Sequence, residues 1–183
     1  MRKLAMACGM LIAGAASAGA AQLSITSPDI KPGARIADEQ VANGFGCSGK
    51  NISPALNWSG APKGTKSFAV SVYDPDAPTG SGFWHWSVFN IPADATSLPK
   101  NAGDPKAGLA PAGAVQVHND SGSQGYFGPC PPEGDKPHHY RFQIFALDVD
   151  KLDAGENASP AVVGSNLQHH ILAKATLIGL FGR

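Results

Sequence analysis

The sequence predicts a mainly β protein, an antiparallel β-sandwich with one or two short helices and long Gly/Pro-rich loops. Three observations carry this reading. Short segments alternating between apolar and polar residues recur along the chain, the pattern of strands with a buried face. Between them are spread 22 glycines and 15 prolines, which interrupt regular structure and favour turns. Helical spacing occurs only near the carboxyl end, so helices do not alternate with strands as a parallel α/β fold requires. At 183 residues the chain suits one well-cored domain.

The elements follow in order. Residues 22–27, QLSITS, have strand periodicity, and a long polar, glycine-bearing stretch leads to a second short strand, ALNW, at 55–58. SFAVSVYD, 67–74, places Phe68, Val70 and Val72 on one face and Ala69, Ser71 and Tyr73 on the other. Both faces are largely apolar, which marks a central strand. WSVFNIP, 86–92, ends at Pro92, and AVQVHND, 114–120, alternates through Val115 and Val117. RFQIFALD, 141–148, sets Phe142, Ile144 and Ala146 against Phe145 and Leu147. DVDKLD, 148–153, suits one helical turn, and SNLQHHILAKA, 165–175, carries Leu167, Ile171 and Leu172 at helical spacing behind Ser165 as an N-cap. TLIGLFGR closes the sequence as a strand.

The first 20 residues have a different character. Arg2 and Lys3 precede an apolar run from Leu4 to Ala16, followed by small residues in A-x-A spacing. This is the pattern of a cleaved secretory signal peptide, and the run is shorter than the ~20 residues of a membrane span. The expectation is a periplasmic or secreted protein whose single domain covers residues 21–183. No later segment is apolar enough to span a bilayer. In an oxidising compartment Cys47 and Cys130, the remaining pair, are candidates for a disulfide, the alternative being two buried thiols.

Without the leader, 12 basic residues stand against 14 acidic ones, a net charge of −2. The basic residues are scattered singly, which argues against a nucleic-acid partner because counterion displacement needs a clustered cationic face.

Two loops hold the residues with chemistry. DPDAPTGSGFWHW, 74–86, leaves one expected strand and enters the next, so Asp74 and His85 come to one rim. GYFGPCPPEGDKPHHYRF, 125–142, leads into another strand and carries His138 and Tyr140 at strand alternation. Together the loops bring Asp74, Asp76, His85, His138 and Tyr140 toward one place.

DPDAP followed by Trp-His-Trp, and then GPCPPEGDKPHHY, resembles the phosphatidylethanolamine-binding protein family, in its bacterial branch of Raf kinase inhibitor-like proteins. GFGCSGKNISPALNW (44–58), KGTKSFAVSVYDPDAPTGSG (63–82) and HHILAKATLIGLFGR (169–183) extend the resemblance over nearly the whole expected mature chain. It implies an antiparallel β-sandwich with a small edge pocket for anions, notably phosphate and phosphorylated head groups. Carried over by motif, the ligand-binding residues are Asp74, Pro78, His85, Gly128, Pro131, His138 and Tyr140, and the Cys130 N–H is a further donor. The resemblance also implies a cis Ala77–Pro78 bond. Trp84 and Trp86 are expected as pocket walls.

In this reading His85 and His138 donate ring N–H bonds to anionic oxygens, and Gly128 admits close backbone approach. Tyr140 donates its hydroxyl. Asp74 either orients a histidine or meets the amine of an ethanolamine head group, the first being preferred, and Asp76 braces its own turn. Contact with a phospholipid head group is one form of this binding, and pairing into a homodimer is left open.

Other chemistries have weaker support. Asp74, Asp76, His85 and His138 are metal-ligand types, but no H-x-x-x-H clamp accompanies them, so neither a metal nor a cofactor is expected. His118, His169 and His170 are read as surface residues. A His/Asp pair suits general-base catalysis, yet no G-x-S-x-G nucleophile is present, and the chain is not read as an enzyme. The remaining alternative is an inhibitor or signalling protein acting on a protein partner.

Overall fold

The computed structural model describes residues 22–183, and the expected signal peptide lies outside them. In chain order the strands are β1 (Ser24–Thr26), β2 (Asn43–Gly44), β3 (Cys47–Ser48), β4 (Leu56–Ser59), β5 (Ser67–Asp74), β6 (Phe83–Pro92), β7 (Ser97–Leu98), β8 (Val115–Gln116) and β9 (His138–Leu147). The one α-helix among the described residues, α1 (Pro160–Gln168), and β10 (Ile171–Phe181) follow. Among the described residues no helix is long and apolar enough to cross a membrane.

The paired strands form a five-stranded sheet in the order β10-β9-β5-β6-β8, a three-stranded sheet in the order β1-β4-β7, and the small hairpin β2-β3. Within each sheet the strands pair antiparallel. The main core lies between the two larger sheets. Leu56, Trp58 and Leu98 meet Val70, Val72, Trp86, Val88, Phe142 and Ile144 there. A second core lies on the other face of the five-stranded sheet, where Ala69, Phe89, Phe145 and Leu147 pack with Val163 and Leu167 of α1. This helix layer explains why β5 and β9 are apolar on both faces.

Two expectations near the carboxyl end are corrected. The helix runs from Pro160 to Gln168 and not over 165–175: Ser159 is its N-cap, accepting from Val162 N, and Pro160 occupies its first turn. Ile171 and Leu172 belong instead to β10, which pairs along β9 from Ile171↔Leu147 to Phe181↔His138. The hydrogen-bonding edge of β9 overrides a helical spacing that continues past the helix cap. Residues 148–153 form bends in place of a helical turn, with Leu152 N donating to Asn90 Oδ1 at 2.8 Å.

Candidate functional site

A β-bulge in β6 builds the site. Val72 pairs with Trp86 and Tyr73 with Trp84, so His85 is the extra residue between two ladder positions. A bulge re-aims a side chain that strict alternation would send elsewhere. His85 consequently lines a cavity at the ends of the central strands, while Trp86 is fully buried in the core beside it. On β9, which flanks β5 on the side away from β6, His138 and Tyr140 share a face by alternation, and Asp74 ends β5 at the same level.

These four side chains form a buried polar floor. Asp74 is 2 % exposed, His85 and His138 4 % each, and Tyr140 0 %. His138 Nδ1 donates to Asp74 Oδ2 at 2.7 Å, and Asp76 N donates to Asp74 Oδ1 at 2.9 Å. Asp74 therefore orients His138 and closes its own loop. Tyr140 lies between the histidines, with ring centroids 5.1 Å from His85 and 6.4 Å from His138. Its hydroxyl is buried and has no hydrogen-bond partner among the described residues.

Protonation follows from burial and hydrogen bonding. Burial lowers the His85 pKa from 6.5 to about 4, against the opposing pull of the Phe127 carbonyl and the Asp74 charge. Its Nδ1 lies 2.7 Å from Phe127 O, and a carbonyl only accepts, so Nδ1 carries the proton. The neutral ring is left with a lone pair on Nε2. Burial, and then the nearby Asp74 charge, raises the Tyr140 pKa, so its hydroxyl keeps its proton.

The walls are apolar. Phe45, Phe83 and Phe127 stand around the floor with Ala77, Pro78, Thr79, Cys130, Pro131 and Pro132, enclosing about 220 Å³. Drug-sized ligands occupy roughly 300–1,000 Å³, so this volume suits a smaller group. Phe45, at the tip of the β2-β3 hairpin, is 72 % exposed and meets Phe127 edge-on at 5.4 Å. A Cys47–Cys130 disulfide ties that hairpin to the pocket loop. Arg183 adds a second tie, donating from Nε to Pro131 O at 2.7 Å and from Nη1 to Gly46 O at 3.0 Å.

Several expected positions differ. Trp84 and Trp86 are not pocket walls: the bulge leaves Trp84 against Tyr73 at 4.5 Å, and Trp86 donates from Nε1 to Gln116 Oε1 at 2.7 Å. Gly128 does not line the cavity, and a Cβ there would lie 2.1 Å from Gln40 O. Glycine is needed for close packing on the 40–42 backbone. Ala77–Pro78 is trans, since the described residues contain no cis peptide. Hydrogen bonds close this loop instead: Asp76 N to Asp74, Thr79 N to Ala77 O at 2.8 Å, and Thr79 Oγ1 to Gly82 O. Asp76 braces the other loop, accepting from His139 N and His139 Nδ1 at 2.8 Å each. Burial alone would raise the Asp76 pKa, but these two bonds lower it.

The aromatic walls were not among the sequence-derived candidates. Phe45, Phe83 and Phe127 each stand beside a glycine in GFG, SGF and FGP, a placement that can present a large apolar ring from a loop. Among the described residues no group of three or more His, Cys, Asp or Glu side chains is arranged to hold a metal ion.

Comparison with known proteins agrees with this architecture. The chain is similar to YbcL of Escherichia coli, 52 % identical over 165 residues that cover 90 % of each protein. It is also similar to Escherichia coli YbhB, 45 % identical over 87 % of this chain and 99 % of that protein. The crystal structure of YbcL, described as a new member of the mammalian PEBP family, superposes with a TM-score of 0.87 at 51 % identity. The superposition covers 89 % of this chain and 99 % of that one. Residues 26–182 match the family model for phosphatidylethanolamine-binding protein, and the chain belongs to that family.

Proposed function

We propose that the floor of Asp74, His85, His138 and Tyr140 binds a small anionic group, a phosphate or the phosphorylated head group of a larger molecule. The observation that carries this reading is the Tyr140 hydroxyl, a buried donor without a partner among the described residues. An unmet buried donor costs about 1–3 kcal/mol, which a ligand oxygen would recover. Family membership supports ligand binding in general, and the cavity volume suits a small group. Asp74 accepts from His138 and from the Asp76 amide, so its part in the site is to orient His138 and not to meet the anion.

The reading is binding and not turnover. Cys130 is held in a disulfide, and the Thr79 hydroxyl donates to Gly82 O, so neither is poised as a nucleophile. The protein acts outside the cytoplasm in this reading, in the periplasm or after secretion. The leader pattern and the disulfide support that placement.

Thermal unfolding tests the assignment. At a hundredfold excess over Kd, ethyl phosphate at pH 5.5 raises the Tm of the wild type by about 5–10 °C and leaves His85→Ala unmoved. Tyr140→Phe removes only the unmet hydroxyl, so it keeps or gains stability while binding weakens about tenfold. Equal ligand shifts in all three proteins would remove the pocket assignment.

A further inference from the structure

We infer that the pocket takes its anion together with one proton, and so recognises a phosphate monoester in its singly charged form. The inference rests on the anion-binding reading above and names the form of the ligand.

The geometry of His85 is the starting point. Its Nδ1–H is committed to the Phe127 carbonyl at 2.7 Å, and Phe127 N returns a bond to His85 O at 2.8 Å, which fixes that edge of the ring. The nitrogen left for the cavity, Nε2, therefore offers a lone pair. A bare anionic oxygen placed there meets another acceptor and is repelled. A P–OH oxygen placed there donates to it.

Tyr140, next to His85, has the opposite polarity: its O–H is buried in the floor near Asp74 with no hydrogen-bond partner among the described residues, and a small turn of the ring offers it to a ligand oxygen. Acceptor and donor side by side match P–OH and P–O⁻ of one monoanion. A dianion lacks the proton that His85 needs.

The other charged groups do not supply the missing donor. Among the described residues no lysine or arginine lines the cavity. From β5 the Asp74 carboxylate faces it, and from β9 come His138 and the protonated Tyr140. His138 is engaged by Asp74 at Nδ1, and its Nε2 lies 3.5 Å from Asp135 Oδ2 in the adjoining loop. Asp76, behind Asp74, is paired to His139. The lining residues from 77–79, from 127–132 and at Phe45 and Phe83 carry no titratable side chain, Cys130 being in the disulfide.

The proton has two sources. The ligand brings it as P–OH and donates it to Nε2 in a hydrogen bond. Otherwise solvent supplies it to Nε2, and the resulting N–H donates to the ligand oxygen. Burial makes the second route costly, since it opposes the charged ring. The pocket thus favours monoesters, which keep a proton below a second pKa of about 6, over anions with none to offer.

Calorimetric titration of the purified protein with ethyl phosphate and with sulfate, in buffers of different ionisation enthalpy between pH 5 and 8, tests this. With ethyl phosphate the expected Kd is flat up to about pH 6, then weakens about tenfold per pH unit with uptake of one proton. With sulfate the Kd weakens about tenfold per unit across the whole range, again with one proton taken up. His85→Gln sets an amide in place of the ring edge and is expected to bind both anions without proton uptake. Flat affinities with no uptake in the wild type would overturn the inference and leave anion binding intact. Tenfold slopes that persist in a folded His85→Gln would also overturn it, because the proton would then sit elsewhere. Absence of binding by either anion at every pH would remove both readings.

Discussion

Replacing Cys47 and Cys130 with serine lowers stability by about 4.5 kcal/mol. The two residues are 83 apart in sequence, and closing a loop of that length restricts the unfolded chain by roughly this amount in the chain-entropy model. The native effect is local. The bond joins the β2-β3 hairpin, which holds Phe45 at the cavity mouth, to the loop that supplies Pro131 and Pro132. Urea unfolding of the double-serine variant beside the wild type measures the loss. A difference under about 1 kcal/mol would contradict the chain-entropy account and mean that the reduced unfolded chain is already as restricted as the cross-linked one.

The second large effect is at Asp74. Asp74→Ala costs about 3 kcal/mol, because His138 Nδ1 and the Asp76 amide lose their acceptor together and the His138 ring is buried. Asp74→Asn retains one oxygen for two donors, and an intermediate loss is expected. Ligand affinity falls most in Asp74→Ala, where His138 loses outright the bond that fixes its tautomer. Unfolding midpoints equal to the wild type in both would show that neither donor depends on this carboxylate.

Much of the fold was legible before the structure. β5 and β9 could be read because their apolar pattern occupies both faces, a requirement of strands lying between a second sheet and a helix. The two-residue strands β2, β3 and β7 are too short to carry a period, and β8 is as short, only Val115–Gln116 of the strand read at 114–120 being in the ladder. The late helix was misplaced because Leu167, Ile171 and Leu172 keep helical spacing across its true end. What separates them is the ladder with β9, a non-local interaction.

The site divides in the same way. Motif resemblance reached Asp74, His85, His138 and Tyr140, the residues that form the floor. Alternation could not reveal the bulge at His85, so the neighbouring tryptophans were assigned to the pocket and the phenylalanines were passed over. Nor could local sequence give the polarity of His85. Its tautomer is set by the carbonyl of Phe127, 42 residues away, and that bond changes the expected anion donor into an acceptor.

The central claim is that the buried floor holds the phosphoryl group of a ligand. A crystal structure with ethyl phosphate at pH 5.5 tests it most directly. The account predicts one ligand oxygen about 2.5–3.0 Å from Tyr140 Oη and another about 3 Å from His85 Nε2. A phosphoryl group bound elsewhere, with Tyr140 Oη and His85 Nε2 untouched by ligand, would contradict it.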